Sequence, residues 1–173
     1  LSRRDASVSA DRFAVYFDPY HDRRSGYYFM VNAAGTQYDG TLSNDVSTDK
    51  LWDAVWAGRA RVDAQGWTAE MRIPYSQMRI ERAGSAVWGI NFARTIPRRR
   101  EESFLVFRPR KESGFVSRFP ALPGLDRITP GPAIELMPYV TSKGEYVDHT
   151  PGDPFNDGSE VAWNGGGDLR LGI

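Results

Sequence analysis

The densest set of hard oxygen donors in this sequence lies on one short stretch, where Asn44, Asp45, Asp49 and Asp53 follow one another closely. Calcium gathers roughly six to eight oxygen ligands, often from runs of this kind. The spacing matches no EF-hand loop, and a solvated turn accounts for the same residues, because Asn and Asp side chains bond readily to their own backbone. Calcium is thus the one cofactor for which the chain offers ligands, with a plain turn as the competing account. Asp18 and Asp22 flank a second turn and admit the same two accounts. A different chemistry belongs to Arg94, Arg98, Arg99 and Arg100. Guanidinium forks grip carboxylates and lipid head groups in pairs of hydrogen bonds, so this run reads as a docking patch for an anionic partner. Ion pairing within the fold is the alternative, with Glu101, Glu102 and Glu112 as nearby acids.

Catalytic readings fare worse. His21 and His149 are the only histidines, and neither has metal-ligand spacing or a neighbouring serine nucleophile motif. Glu101 and Glu102 are adjacent, and adjacent strand residues point to opposite faces, whereas glycoside chemistry needs two carboxyls converging on one bond. Gly165-Gly166-Gly167 lacks the lysine and helix of a phosphate loop. With no cysteine in the chain, thiol nucleophiles, disulfides and cysteine-bound zinc are excluded. The expectation is a protein that is not an enzyme.

The elements that must position these residues are short and β-rich, with turn signals every ten or so residues and no long helical periodicity. Arg12–Phe17 and Tyr27–Val31 read as a hairpin across a polar turn, and Thr36–Gly40 as the next strand. Ser43–Lys50 reads as a polar loop. Ala54–Val62 and Trp67–Ile73 read as a second hairpin, and a single helical turn follows Pro74, which suits a first helical position. Ala86–Thr95 and Phe104–Phe107 read as further strands, Trp67 and Trp88 as core residues. Prolines 120, 123, 130, 132 and 138 then interrupt any regular ladder, leaving Ile134–Val140 and Glu160–Ile173 as plausible strands. This pattern predicts an all-β fold, an antiparallel β-sandwich with a Pro/Gly-rich extended C-terminal segment. The sandwich is expected over residues 1–142, and residues 143–173 as a linker or the start of further β structure.

Composition narrows the partners. The 22 basic and 22 acidic residues cancel, which removes the broad positive field that nucleic acid requires. No apolar run approaches the roughly 18 residues of a transmembrane helix. Hydrophobic residues at 40% suffice for a folded interior, and 5 Trp, 8 Tyr and 9 Phe supply the bulk that fills a two-sheet core.

Several runs together resemble the family 9 carbohydrate-binding-like β-sandwich: Asp11–Pro19, Gly26–Asn32, Trp52–Trp56 and Gly66–Tyr75. Trp88–Arg94, Arg98–Glu102, Ser113–Arg118 and Leu136–Val140 are similar to the group in which that domain precedes an outer-membrane β-barrel of unknown function. The resemblance covers roughly residues 5–142. It implies that the first strands of the sandwich lie before Leu1 and a barrel after Ile173. It implies a periplasmic or cell-surface location in a Gram-negative-type envelope. Modules of this kind hold sugars between aromatic faces and can carry calcium, which makes Trp52 and Trp56 the candidates for stacking on a glycan; core packing is their alternative. Two functions follow as expectations. The first is a non-catalytic periplasmic structural or accessory module docking on a membrane-associated protein complex. The second is a glycan-binding module of an outer-membrane barrel protein, with a cell-envelope glycan as partner.

Overall fold

The computed structural model describes residues 9–80, 87–107, 109, 111–125, 128, 133–146 and 158–172. The chain divides into two units, Leu1–Gly131 and Pro132–Ile173. In the first unit the strands are β1 (Arg12–Asp18), β2 (Gly26–Asn32), β3 (Gln37–Ser43), β4 (Ser47–Asp49), β5 (Ala57–Asp63), β6 (Gly66–Arg72), β7 (Val87–Ile96), β8 (Glu101–Phe104) and β9 (Ala121–Pro123). One antiparallel sheet runs β4-β3-β2-β1-β7-β8, with β9 sharing the outer edge of β7. The architecture is all-β and sandwich-like, and the large sheet is curled into a half-barrel.

Alternation along β1, β2 and β7 sorts the side chains onto two faces, because the side-chain period of a strand is two. One face gathers Val15, Phe17, Phe29, Trp88, Ile90 and Phe92, and the hairpin β5–β6 with the stretch from Trp52 to Ile80 supplies the layer packed on it. Phe29 is fully buried and Trp88 is 2% exposed. Rings of Phe17 and Tyr75 meet Trp88 edge-on at 6.0 and 5.7 Å. Burying an aromatic or aliphatic side chain of this size is worth about 1.5–3 kcal/mol each. The glycine at position 58 lets β5 lie directly on Trp56: a Cβ there would stand 2.9 Å from its ring. The single helical turn after Pro74 forms as a 3-10 turn over Tyr75–Gln77.

The other face carries Tyr16, Tyr28, Met30, Leu42 and Phe104, covered by Phe115, Val116 and Phe119 from the segment that follows β8. Sheet curl needs room on this side. Ala14 pairs with Ala93 across β1 and β7, and Gly40 lets the Tyr28 ring lie across β3, since a Cβ at Gly40 would stand 2.6 Å from that ring. The covering segment is fastened by Asp45, whose backbone φ of 71° sets it in the left-handed region that Asp tolerates better than most residues. Its carboxylate accepts hydrogen bonds from the backbone N–H of Phe115 (2.9 Å) and Ser117 (2.8 Å) and from the Ser117 hydroxyl (2.9 Å). Gly114, at φ 100°, keeps a side chain out of that junction, where a Cβ would stand 2.8 Å from the Ser117 hydroxyl.

The strand expected over Phe104–Phe107 forms earlier, at Glu101–Phe104, because the 3-10 turn Pro97–Arg99 reverses the chain at once and Arg100 closes it with φ 52°. The polar loop after Ser43 contains the short edge strand β4. Trp67 is half-buried on β6 and lies outside the core cluster, a correction to its reading as a core residue.

The second unit is a long two-stranded antiparallel hairpin, β10 (Ala133–Glu145) with β11 (Glu160–Gly172). Residues 133–142, expected within the sandwich, thus belong to this hairpin instead. Its register sets Leu136 opposite Leu169, Pro138 opposite Gly167, Val140 opposite Gly165 and Ser142 opposite Trp163. The pairs between them are Met137 with Asp168, Tyr139 with Gly166, Thr141 with Asn164 and Lys143 with Ala162. Strand alternation puts the first set on one face and the second on the other. Among the described residues no helix is long and apolar enough to cross a membrane.

Candidate functional site

The curl of the large sheet brings strands from both of its ends around one cleft of about 260 Å³. Tyr16, Tyr28, Met30, Leu42 and Phe104 line it from the sheet, Phe115 from the covering segment, and Val46, Thr48, Lys50 and Glu102 complete it. Thr48 pairs with Leu42, and Glu102 with Thr95, so β4 and β8 contribute from opposite ends of the sheet. The Tyr16 and Phe115 rings meet edge-on at 4.9 Å, and Phe104 meets Phe115 at 5.7 Å. Phe115 and Tyr28 are themselves buried, which fixes an apolar floor under charged walls.

Among the described residues neither Lys50 nor Glu102 forms an ion pair or a side-chain hydrogen bond, with each other or with any other group. Tyr16 feels this environment: burial, then the Glu102 charge, push its phenol up to about 12 against the opposing pull of Arg12. It therefore remains a neutral hydroxyl throughout the physiological range. The sequence signal for this cleft was faint, because its walls come from positions as distant as Lys50 and Glu102 and meet only through the strand order.

Residues singled out from the sequence are placed as follows. Trp56 is buried, its indole N–H donating to Asp39 at 2.6 Å and its ring packed on Phe29 at 5.4 Å. Trp52 packs against Tyr27 at 5.0 Å and Phe29 at 6.0 Å. Both belong to the core cluster and its margin, so the pair presents no open platform for a sugar. Asp39, missed in the sequence, is the buried acceptor that anchors Trp56, and it also receives the Ala54 N–H.

The calcium set does not converge. Among the described residues no group of three His, Asp or Glu side chains is arranged to hold a metal. Asp45 is committed to the covering segment, Asp49 accepts from the Leu51 N–H at 2.8 Å, and Asn44 takes a left-handed turn conformation at φ 50°. Asp53 is exposed. Asp18 and Asp22 organise the β1–β2 turn: Asp18 accepts from the N–H of Arg23 at 2.9 Å, and Asp22 from Arg24 and Ser25 at 2.7 and 2.8 Å.

Arg94, Arg98, Arg99 and Arg100 are all exposed around the β7–β8 turn. Of the three acids expected to neutralise them, Glu112 pairs with Arg118 instead, Glu101 meets the Ser103 hydroxyl and Glu102 faces the cleft. Arg98 approaches Asp11 at 3.9 Å. The four arginines thus share this turn with Glu101 and Glu102, and Arg98 is paired with Asp11. His149 lies outside the described residues.

The Asp45 carboxylate sits below its usual pKa of 3.8: burial works upward, but the hydrogen bonds from Ser117 and Phe115 outweigh it. A depressed carboxylate contributes stability that is present above its unfolded pKa and lost as pH falls through its folded value. The Phe115 and Ser117 amide resonances should therefore titrate together with a midpoint below 3.8. Nuclear magnetic resonance would check this, and a midpoint at or above the usual aspartate value would contradict the fastening. Asp18 acts with the opposite sign, because burial raises it above the usual value despite the Arg23 N–H. A global acid unfolding curve would mix the two, which is why the local amides are the proper readout.

No protein-family model, no curated protein and no solved structure matches this chain.

Proposed function

We propose that this chain is a non-catalytic module of the cell envelope that docks through its β10–β11 hairpin into the wall of a transmembrane β-barrel. The observation that carries this reading is the two-faced register of the hairpin. Leu136, Val140, Val161, Trp163 and Leu169 share one face and are all well exposed, with Trp163 at 69%. The opposite face is the more polar one, carrying Thr141, Lys143, Glu145, Asn164 and Asp168 together with Met137 and Tyr139. Apolar-out and polar-in alternation is the pattern of strands that separate lipid from an aqueous lumen.

The dimensions agree. A bilayer has a hydrocarbon core about 30 Å thick, and 13 residues at about 3.3 Å each, tilted by about 45°, cross roughly that distance. A lone two-stranded hairpin is marginal in water. Both outer edges of this one lack a partner strand among the described residues, and lipid offers backbone groups no hydrogen bonds, so flanking strands are required.

The chain contains no cysteine, which makes single-cysteine scanning clean. Cysteines placed singly from Leu136 to Thr141 and from Val161 to Leu169, in membranes of cells producing the protein, should react with a water-soluble maleimide in a period of two. Positions 136, 140, 163 and 169 should be protected and their neighbours labelled. Uniform labelling along both strands would defeat the proposal.

A further inference from the structure

We infer that the cleft between β4 and β8 binds a small zwitterion with an apolar body, of the chemical class of a free amino acid or short peptide with an aliphatic side chain. This inference concerns the first unit and does not rest on the hairpin's role.

The argument begins with the walls. Lys50 and Glu102 bring opposite charges to one cleft from opposite ends of the sheet, and neither is neutralised by another group among the described residues. Opposite charges that line one cleft without pairing with each other match a ligand that carries both signs. An ammonium group would pair with Glu102, and a carboxylate with Lys50, each as a charge-assisted hydrogen bond. The Tyr16 hydroxyl oxygen, near enough to Glu102 for Tyr16 to feel its charge, offers the ammonium a further acceptor on that side.

The floor decides the rest of the ligand. Met30, Leu42, Phe104 and Phe115 are apolar, so the body between the charges must be apolar too. A volume of about 260 Å³ lies below the usual range of drug-sized pockets, roughly 300–1,000 Å³, which limits the occupant to a small molecule. A neutral sugar fits less well. It would leave both charges unpaired, and the rings of Tyr16, Phe104 and Phe115 are packed edge-on against one another instead of presenting parallel faces.

The test uses the full chain in detergent and calorimetric titration with L-leucine, L-leucinamide, N-acetyl-L-leucine, leucyl-leucine and glucose. Leucine or leucyl-leucine should bind with a dissociation constant on the order of 1 mM or tighter, and the better of the two distinguishes a free amino acid from a peptide. Glu102→Gln should weaken leucine and leucinamide about tenfold and leave N-acetyl-leucine unchanged. Lys50→Met should weaken leucine and N-acetyl-leucine about tenfold and leave leucinamide unchanged. Both positions are exposed, and near-ultraviolet circular dichroism verifies that each variant keeps the fold. The crossed pattern is the signature that a merely structural role would not produce. Absence of binding by leucine and leucyl-leucine, glucose binding as tight as leucine, or equal losses for all three leucine ligands in either variant would overturn the inference.

Discussion

Replacing Trp88 by alanine should destabilise the first unit by about 3–5 kcal/mol, the usual cost of deleting a buried aromatic ring. Trp88 is 2% exposed and is gripped edge-on by Phe17 and Tyr75, with β9 pairing alongside through Leu122. The same replacement at Trp67, half-buried and outside the core cluster, should cost about 1 kcal/mol, within the ordinary spread of point substitutions. Urea unfolding of both variants, followed by near-ultraviolet circular dichroism, measures the difference. Equal losses would mean that the β5–β6 layer is as much a part of the core as the large sheet.

That contrast marks where the sequence was legible. Local pattern sufficed for β1, β2, β6 and β7, because their apolar residues alternate and their turns carry Asp, Asn or Gly. Pattern could not separate Trp67 from Trp88, since both sit in strand-like runs and differ only in which layer receives them. Trp52 and Trp56 look like a ligand platform when read beside a polar loop. Their burial depends on Phe29 and on Asp39, which reaches the Trp56 indole from a strand 17 residues away. The boundary of the second unit was obscured by Pro138, which ordinarily argues against a central strand, yet it pairs opposite Gly167 within the β10–β11 ladder. The cleft was illegible for a simpler reason. Lys50 and Glu102 share it only because the four strands between β4 and β8 curl, and strand order is a property of the whole sheet.

Asp45→Ala should be the most disruptive change on the cleft side, destabilising the first unit by about 3 kcal/mol, although the side chain removed is small and partly exposed. The carboxylate receives three hydrogen bonds from Phe115 and Ser117, and bonds to a charged acceptor are worth about 1.5–3 kcal/mol each before partial compensation by water. Substitution would leave those donors without their acceptor at the point where Phe115 enters the core. The bond from the Val116 N–H to the Asp45 backbone carbonyl at 3.2 Å would persist. Phe115, Val116 and Phe119 are the cover of the second face, so loosening them exposes Tyr28 and Leu42 and removes the floor of the cleft. Leucine binding should then fall together with stability, whereas Glu102→Gln should change binding alone. Asp45→Asn is the sharper control, because its amide oxygen can still accept from backbone N–H groups but without the charge. It should recover part of the lost stability and abolish the low midpoint of the Phe115 and Ser117 amides. Urea unfolding of the two variants decides the matter: an unchanged midpoint for Asp45→Ala would show that apolar packing alone holds the cover in place.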